Sequence, residues 1–196
     1  MTISKGAEWG EPVTRAADLP VVTSDAALAA HDPDAGAVGL AGGDIFRSVG
    51  SPEPRTDSMR LPLDRLAVTF DRQIAVAVAH VVLRRTGPFA WWRGELLAIC
   101  NADFVGRWNV APRAHPNDGR FDALHVTKMS LRDRWAAKAR LPQGTHVPHP
   151  GIAVRTATDA SWEFAHPMRI TIDGVDRGTC TQVRVAIEPD ALAIIV

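Results

Sequence analysis

Two aspartates near the C-terminus are the residues whose type and spacing best suit proton-transfer chemistry. Asp173 and Asp176 stand on either side of Gly174 and Val175, at a predicted turn between two strands. A carboxylate that faces a substrate can act as a general base, whereas the valine has no titratable group. The alternative is that both acids are solvated turn residues, and the sequence leaves both interpretations open.

Three histidines in the middle of the chain raise the question of a transition-metal site. His146 and His149 are three residues apart, and His115 precedes them. Pro148 and Pro150 make this segment stiff and extended, and no cysteine near it completes a ligand set. A zinc site is therefore not favoured.

Charge and hydropathy argue against several classes of function. The chain has 196 residues, with 22 basic and 22 acidic side chains. A net charge of zero does not steer polyanions, so nucleic acid is not an expected partner. Zero net charge is still compatible with a basic patch on part of the surface. The longest apolar run, residues 74–83, is too short to cross a bilayer, and the polar N-terminus does not resemble a signal peptide. We therefore expect a cytoplasmic protein without a transmembrane segment.

The elements that must position these residues are mostly strands. Segments 66–70 and 73–83 flank Asp71-Arg72 and predict a hairpin, and residues 130–141 predict a helix with Ser130 as its cap. Further strands are predicted over 37–40, 96–101, 121–127, 152–155, 168–172, 181–187 and 192–196, and another helix over 24–31. This pattern favours an α+β fold that is mostly β, a β-sandwich with one inserted helix.

The clearest linker is residues 50–58, where Pro52 and Pro54 remove backbone donors among polar neighbours. We predict a small α/β segment over residues 1–58 and a β-sandwich domain over residues 59–196. The first part has too little apolar surface to fold alone, so we expect it to dock on the second across Gly42-Gly43-Asp44.

An aromatic cluster, Phe89 with Trp91 and Trp92, lies between two predicted strands and is flanked by Arg84, Arg85 and Arg93. Aromatic residues beside basic ones suit a membrane interface. The alternatives are a place in the core or a contact in an oligomer such as a homodimer.

Two segments together resemble the signature stretches of the C-terminal half of diacylglycerol-kinase-type lipid kinases, the bacterial YegS-like family. The first is residues 111–122, with Pro112 followed by Asn117-Asp118-Gly119 and Phe121-Asp122, and the second is residues 170–175, with Asp173-Gly174. The resemblance implies a lipid-kinase-type C-terminal β-sandwich, of the NAD kinase/diacylglycerol kinase-like fold, preceded by a small N-terminal α/β segment.

The resemblance also implies a catalytic base and a metal. In the family the Asp-Gly pair is followed by the proposed base, a Glu, where this chain has Val175, so Asp173 or Asp176 would have to replace it. The family holds a structural magnesium through one carboxylate, here Asp118, and two backbone carbonyls, here those of His115 and Arg120. The alternative is that residues 117–119 form a plain turn.

The nucleotide loop of the family is altered in this chain. Family kinases carry a larger α/β domain with a Gly-Gly-Asp-Gly-Thr loop that meets the ATP phosphates. Here Gly42, Gly43 and Asp44 match, but Ile45 and Phe46 replace the last Gly and Thr. The β-carbon of Ile45 restricts the backbone, and Phe46 has no hydroxyl. We therefore expect residues 1–58 to be a reduced remnant of that domain, without family-type ATP binding.

Three functions stay open. The first is a divergent, non-catalytic lipid-kinase-like protein that binds a lipid, a small phosphorylated ligand or a partner. The second is a reduced ATP-dependent lipid kinase that is active as an oligomer, with Gly42, Gly43 and Asp44 at the phosphates. The third is a structural or interaction module.

Overall fold

The fold is seen in a computed structural model, which describes residues 9–53 and 55–196. The expectations for the polar N-terminus and for Pro54 lie outside the described residues. The described helices are α1 (Asp25–Ala29), α2 (Gly43–Ser48), α3 (Ala90–Arg93) and α4 (Leu131–Arg140), with short 3-10 turns at Pro33–Ala35 and Leu141–Gln143. None of these helices has the length and apolar character needed to cross a membrane.

Strands make up most of the regular structure, as the sequence predicts. Their bounds are β1 (Glu11–Thr14), β2 (Val21–Val22), β3 (Val38–Leu40), β4 (Asp57–Phe70), β5 (Gln73–Ala77), β6 (His80–Arg85), β7 (Leu96–Cys100), β8 (Phe104–Val105), β9 (Trp108–Asn109), β10 (Phe121–Val126), β11 (Ala153–Ala157), β12 (Asp159–Ile172) and β13 (Val175–Ile195).

The described strands form one large sheet and a separate β8–β9 hairpin. The main path of the sheet runs β1-β4-β13-β12-β6-β7-β10-β11, while β5 pairs with β4, and β3 pairs with β13 and β2. The pairings of β3 with β13 and with β2 are parallel, and the rest are antiparallel. The long strands β12 and β13 carry register shifts, which bend a strand and let the sheet wrap around a core.

The described residues form several apolar clusters, one of which joins the N-terminal and C-terminal parts of the chain. The largest cluster lies within the folded sheet and includes Phe70, Phe121, Leu83, Ile99, Met168 and Ile170. The second joins Leu28, Val38 and Ile45 of the N-terminal segment to Leu63 and Ile194. The docking of the N-terminal segment that the sequence predicts is therefore present, and β1 and β3 also join the sheet.

Some elements differ from their predicted extents. Segment 73–83 is two strands rather than one, because the backbone amides of Val78 and Ala79 bind a carboxylate instead of a neighbouring strand. Segments 181–187 and 192–195 belong to the single strand β13, and Val196 follows it. Between the two predicted segments the strand continues with a register shift after Glu188. The linker ends at Thr56, because β4 already begins at Asp57. The division into two folding units stays a prediction.

Candidate functional site

The Gly42-Gly43-Asp44 segment leads from β3 into the first residues of α2, where a carboxylate of the same chain binds two backbone amides. The amide of Asp44 donates to Asp25 Oδ2 at 2.6 Å, and the amide of Ile45 donates to Asp25 Oδ1 at 3.0 Å. Asp25 is buried at the start of α1, and this burial raises the pKa of its carboxyl. The amides of the second and third residues of α2 thus have a partner within the chain.

Gly42 and Gly43 are needed because the backbone at these positions lies very close to Thr23 and Asp25. Gly43 has a φ of +94°, and a β-carbon there would lie 2.5 Å from Asp25 Oδ1. A β-carbon at Gly42 would lie 2.4 Å from the carbonyl oxygen of Thr23. Both glycines therefore let the loop pack against residues 23–25 of its own chain.

The side chain of Asp44 points into the protein. Its Oδ2 accepts a hydrogen bond of 2.8 Å from the amide of Gly106, in the β8–β9 hairpin. The same oxygen lies 3.5 Å from His80 Nδ1. His80 is buried, and this burial lowers the pKa of its imidazole although the charge of Asp44 acts in the opposite direction. The pair joins α2 to β6.

Asp173 lies at the turn between β12 and β13, and its carboxylate also binds backbone amides. Oδ2 accepts from Val78 at 2.8 Å, and Oδ1 accepts from Ala79 at 3.0 Å and from His80 at 2.9 Å. Burial raises the pKa of Asp173 to about 7, and the charge of Asp25 acts in the same direction. The carboxylate of Asp173 therefore binds the β5–β6 connection and the amide of His80, the residue whose ring lies beside Asp44.

The two residues that follow this turn face outward. Val175 is 39% exposed at the start of β13. Asp176 forms an ion pair with Arg169, whose Nε lies 2.7 Å from Asp176 Oδ2, and both side chains are substantially exposed. The hydrogen bonds from Arg169 lower the pKa of Asp176. A carboxylate with a lowered pKa is a weak base.

The predicted metal loop, residues 115–120, is held by a buried aspartate that the sequence does not single out. Asp64 in β4 accepts from the amide of Gly119 at 2.7 Å, from Asn117 Nδ2 at 3.2 Å and from the amide of Asp190 at 2.9 Å. Its side chain is fully buried, and burial raises its pKa. The loop thus has an internal anchor.

The three predicted magnesium ligands lie close together in this loop. Asp118 Oδ1 accepts from the amide of Arg120 at 3.0 Å, and the His115 carbonyl accepts from the amide of Asp118 at 3.3 Å. These bonds close a turn and leave Asp118 Oδ2 and the Arg120 carbonyl without a bond among those described. Across residues 9–53 and 55–196, no group of three or more His, Cys, Asp or Glu side chains could hold a metal. The magnesium site stays a prediction.

Several residues of this region carry no local sequence signal. Asp25, Asp64 and His80 act through partners far away in the sequence. Asn101 does the same, because its buried amide donates to the carbonyls of Asp64 and Val78. A polar residue within an apolar strand is the only hint that the sequence offers for His80 and Asp64.

Comparisons with known proteins agree with this fold. Residues 55–196 match the model of the YegS C-terminal NAD kinase beta sandwich-like domain. Similar solved structures include a diacylglycerol kinase from Bacillus anthracis str. Sterne, with 10% identity and a TM-score of 0.54. Two structures of a proposed diacylglycerol kinase from the same strain have 12% and 11% identity, with TM-scores of 0.60 and 0.59.

The extent of these matches limits what they show. Each covers 81% of this chain, which spans 66% of the first structure and 68% of the other two. At such low identities the likeness shows the fold alone. No curated protein matches the chain.

Proposed function

The chain belongs to the family of the YegS C-terminal NAD kinase beta sandwich-like domain, and we propose that it is a non-catalytic member that binds a lipid or a small phosphorylated ligand. The observation that carries this proposal is the carboxylate of Asp25 on the amides of Asp44 and Ile45. In family kinases the equivalent loop is expected to meet ATP phosphates. A carboxylate already bound there occupies the same donors and repels a second anion.

The absence of a suitable base at the Asp-Gly turn supports the same proposal. Val175 has no titratable group. Asp173 has both oxygens bound to backbone amides, and Asp176 is paired with Arg169. General-base catalysis contributes about 10²–10⁴-fold to a rate, so its loss leaves little activity.

The experiment is a kinase assay on the full chain. Diacylglycerol, ATP and magnesium are supplied, and phosphatidate is measured over time beside an active diacylglycerol kinase. We expect no enzyme-dependent phosphatidate. We also expect ATP to leave the Tm unchanged, whereas ATP bound at 100 times its Kd would stabilise the fold by about 2.7 kcal/mol. Phosphatidate in mixed micelles, by contrast, is expected to raise the Tm.

A variant separates the two features that argue against catalysis, which are the loop amides bound by Asp25 and the missing base at Val175. Val175→Glu restores the titratable group but leaves Asp25 on the loop amides. We therefore expect this variant to stay inactive. Activity of the variant would show that the loop still admits ATP and that Val175 alone removes catalysis.

Activity of the unmodified chain would favour the alternative, a reduced ATP-dependent lipid kinase. If specific activity then rose with protein concentration, a second copy would complete the site. A chain that binds neither ATP nor any lipid would correspond to the third function, a structural or interaction module.

A further inference from the structure

We call one group of five side chains at α3 and α4 the aromatic patch: Phe89 just before α3, Trp91 and Trp92 in α3, and Leu131 and Trp135 in α4. Phe89 is 73% exposed, Trp91 56%, Trp135 63% and Leu131 42%. The rings of Trp92 and Trp135 stack with their centroids 5.0 Å apart. Large apolar side chains clustered on a surface mark a site of interaction.

The two helices that carry the aromatic patch are held together by specific contacts. Arg134 is the buried side chain of α4, and its guanidinium donates to the carbonyl of Trp91 at 2.9 Å and to that of Gly94. This contact fixes α3 against α4. An amphipathic helix usually turns its apolar residues inward, but α4 buries an arginine and exposes Leu131 and Trp135.

Positive charge surrounds the patch. The guanidinium of Arg84 lies 5.4 Å from the ring of Trp91, and Lys138 Nζ lies 4.9 Å from the ring of Trp92. Residues 84–95 and 128–141 together contain eight basic side chains against two acidic ones, although the chain as a whole has no net charge. These two segments are therefore locally basic, and Arg84 and Lys138 are the basic side chains that lie over the tryptophan rings.

We propose that the aromatic patch binds the surface of an anionic lipid bilayer. Tryptophan and phenylalanine partition into the boundary between headgroups and acyl chains, while arginine and lysine contact lipid phosphates. A second copy fits less well, because a two-fold contact would bring the same basic side chains face to face. The inference does not depend on whether the chain transfers phosphate.

Co-sedimentation of the full chain with vesicles tests the proposal. Vesicles of phosphatidylcholine mixed with phosphatidylglycerol are expected to bind the protein, and pure phosphatidylcholine vesicles to bind it much less. Raising the salt concentration should weaken the binding. Trp135→Ala is expected to reduce it about tenfold or more, because a large apolar contact is lost. Lys138→Gln should reduce it about fivefold, the value of one charge near the surface.

Two substitutions outside the patch serve as matched controls. Trp108→Ala removes a tryptophan that also carries an arginine over its ring, 4.4 Å from the centroid. Arg72→Gln removes an exposed charge in the β4–β5 turn. Both should bind vesicles like the native chain, and a circular-dichroism melt checks that every variant folds.

Several results would overturn the proposal. The first is that the vesicles give no patch-dependent binding, because the native chain does not bind anionic vesicles or because patch and control variants lose binding equally. The second is a dimer in light scattering that Trp135→Ala dissociates, which would make the patch a contact between copies. The third is patch-dependent binding of a single-stranded oligonucleotide in place of vesicles.

Discussion

At the scale of single residues, several buried aspartates accept hydrogen bonds from backbone amides. Asp25 binds the start of α2, Asp64 binds the loop at Gly119, and Asp173 binds the β5–β6 connection. Hydrogen bonds from backbone amides stabilise a carboxylate that water no longer solvates. Removing such a carboxylate leaves buried amides unpaired, at a cost of about 1–3 kcal/mol.

Asp173 should make the stability of the fold depend on pH. Its folded-state pKa is raised to about 7, from 3.8, so the folded state binds more protons between these two values. The contribution of this group to the free energy of unfolding is therefore greatest below the lower value, and falls as pH rises through the window. We expect Asp173→Asn to be destabilised at every pH but to lose less stability as the pH is raised.

The measurement is urea unfolding of both proteins at about pH 5 and about pH 8, on either side of the raised pKa. The difference in the free energy of unfolding between the native chain and the variant should shrink toward high pH. A difference that is constant across this range would contradict the assignment.

The sequence identifies only part of this residue-scale picture. The sequence singles out Gly42-Gly43-Asp44 as a phosphate-binding loop and Asp173 as a base, and these roles stay predictions; the structure places Asp173 on the amide of His80, whose ring lies 3.5 Å from Asp44. The partners of these residues are not singled out, because Asp25 reads as the first residue of a helix. Its second role depends on a contact made 19 positions away, which no local pattern encodes.

At the scale of elements, local signals predict well and distant ones do not. The helix α4 begins after Ser130, whose hydroxyl accepts from the amide of Asp133, as the cap pattern predicts. Leu131 and Trp135, four residues apart on one face of this helix, are nevertheless exposed: Trp135 stacks on Trp92 of α3 at the surface, and the buried side chain of the helix is Arg134. Helical periodicity shows which residues share a face, but not which face is covered.

The loop over residues 115–120 is the element in which the magnesium prediction can be tested. If a metal binds Asp118, Asp118→Ala should lower the Tm in magnesium and leave the Tm in chelator nearly unchanged. Asp64→Ala provides the contrast, because Asp64 anchors the loop without a metal and its loss should lower the Tm under both conditions. An equal loss for Asp118→Ala under both conditions would identify a plain turn.

At the scale of the whole molecule, the N-terminal segment is part of the sheet. Strand β1 pairs with the beginning of β4, and β3 lies parallel to the end of β13. The sequence predicts docking but not these pairings, because strands of three or four residues carry too little pattern to specify a partner. The exposed linker and the sandwich after it follow more directly from the proline content and the apolar runs.

A fragment of residues 61–196 tests how much this segment contributes. We expect it to fold but to aggregate and unfold at a lower temperature, because the second apolar cluster loses Leu28, Val38 and Ile45. The matched control is the full chain cut by trypsin after the exposed Arg55, whose two pieces should remain associated through the sheet. A fragment that is monomeric and as stable as the full chain would show that docking contributes nothing.

The parallel pairing of β3 with β13 also constrains the order of events during synthesis on the ribosome. Val38 and Gly39 emerge early, but their partners Ile194 and Ile195 are among the last residues described. Until those partners leave the exit tunnel, the apolar β3 has nothing to pair with on that side and stays open to chaperones. Such long-range closure is slow, so the nascent chain is expected to complete its fold only after translation has passed β13.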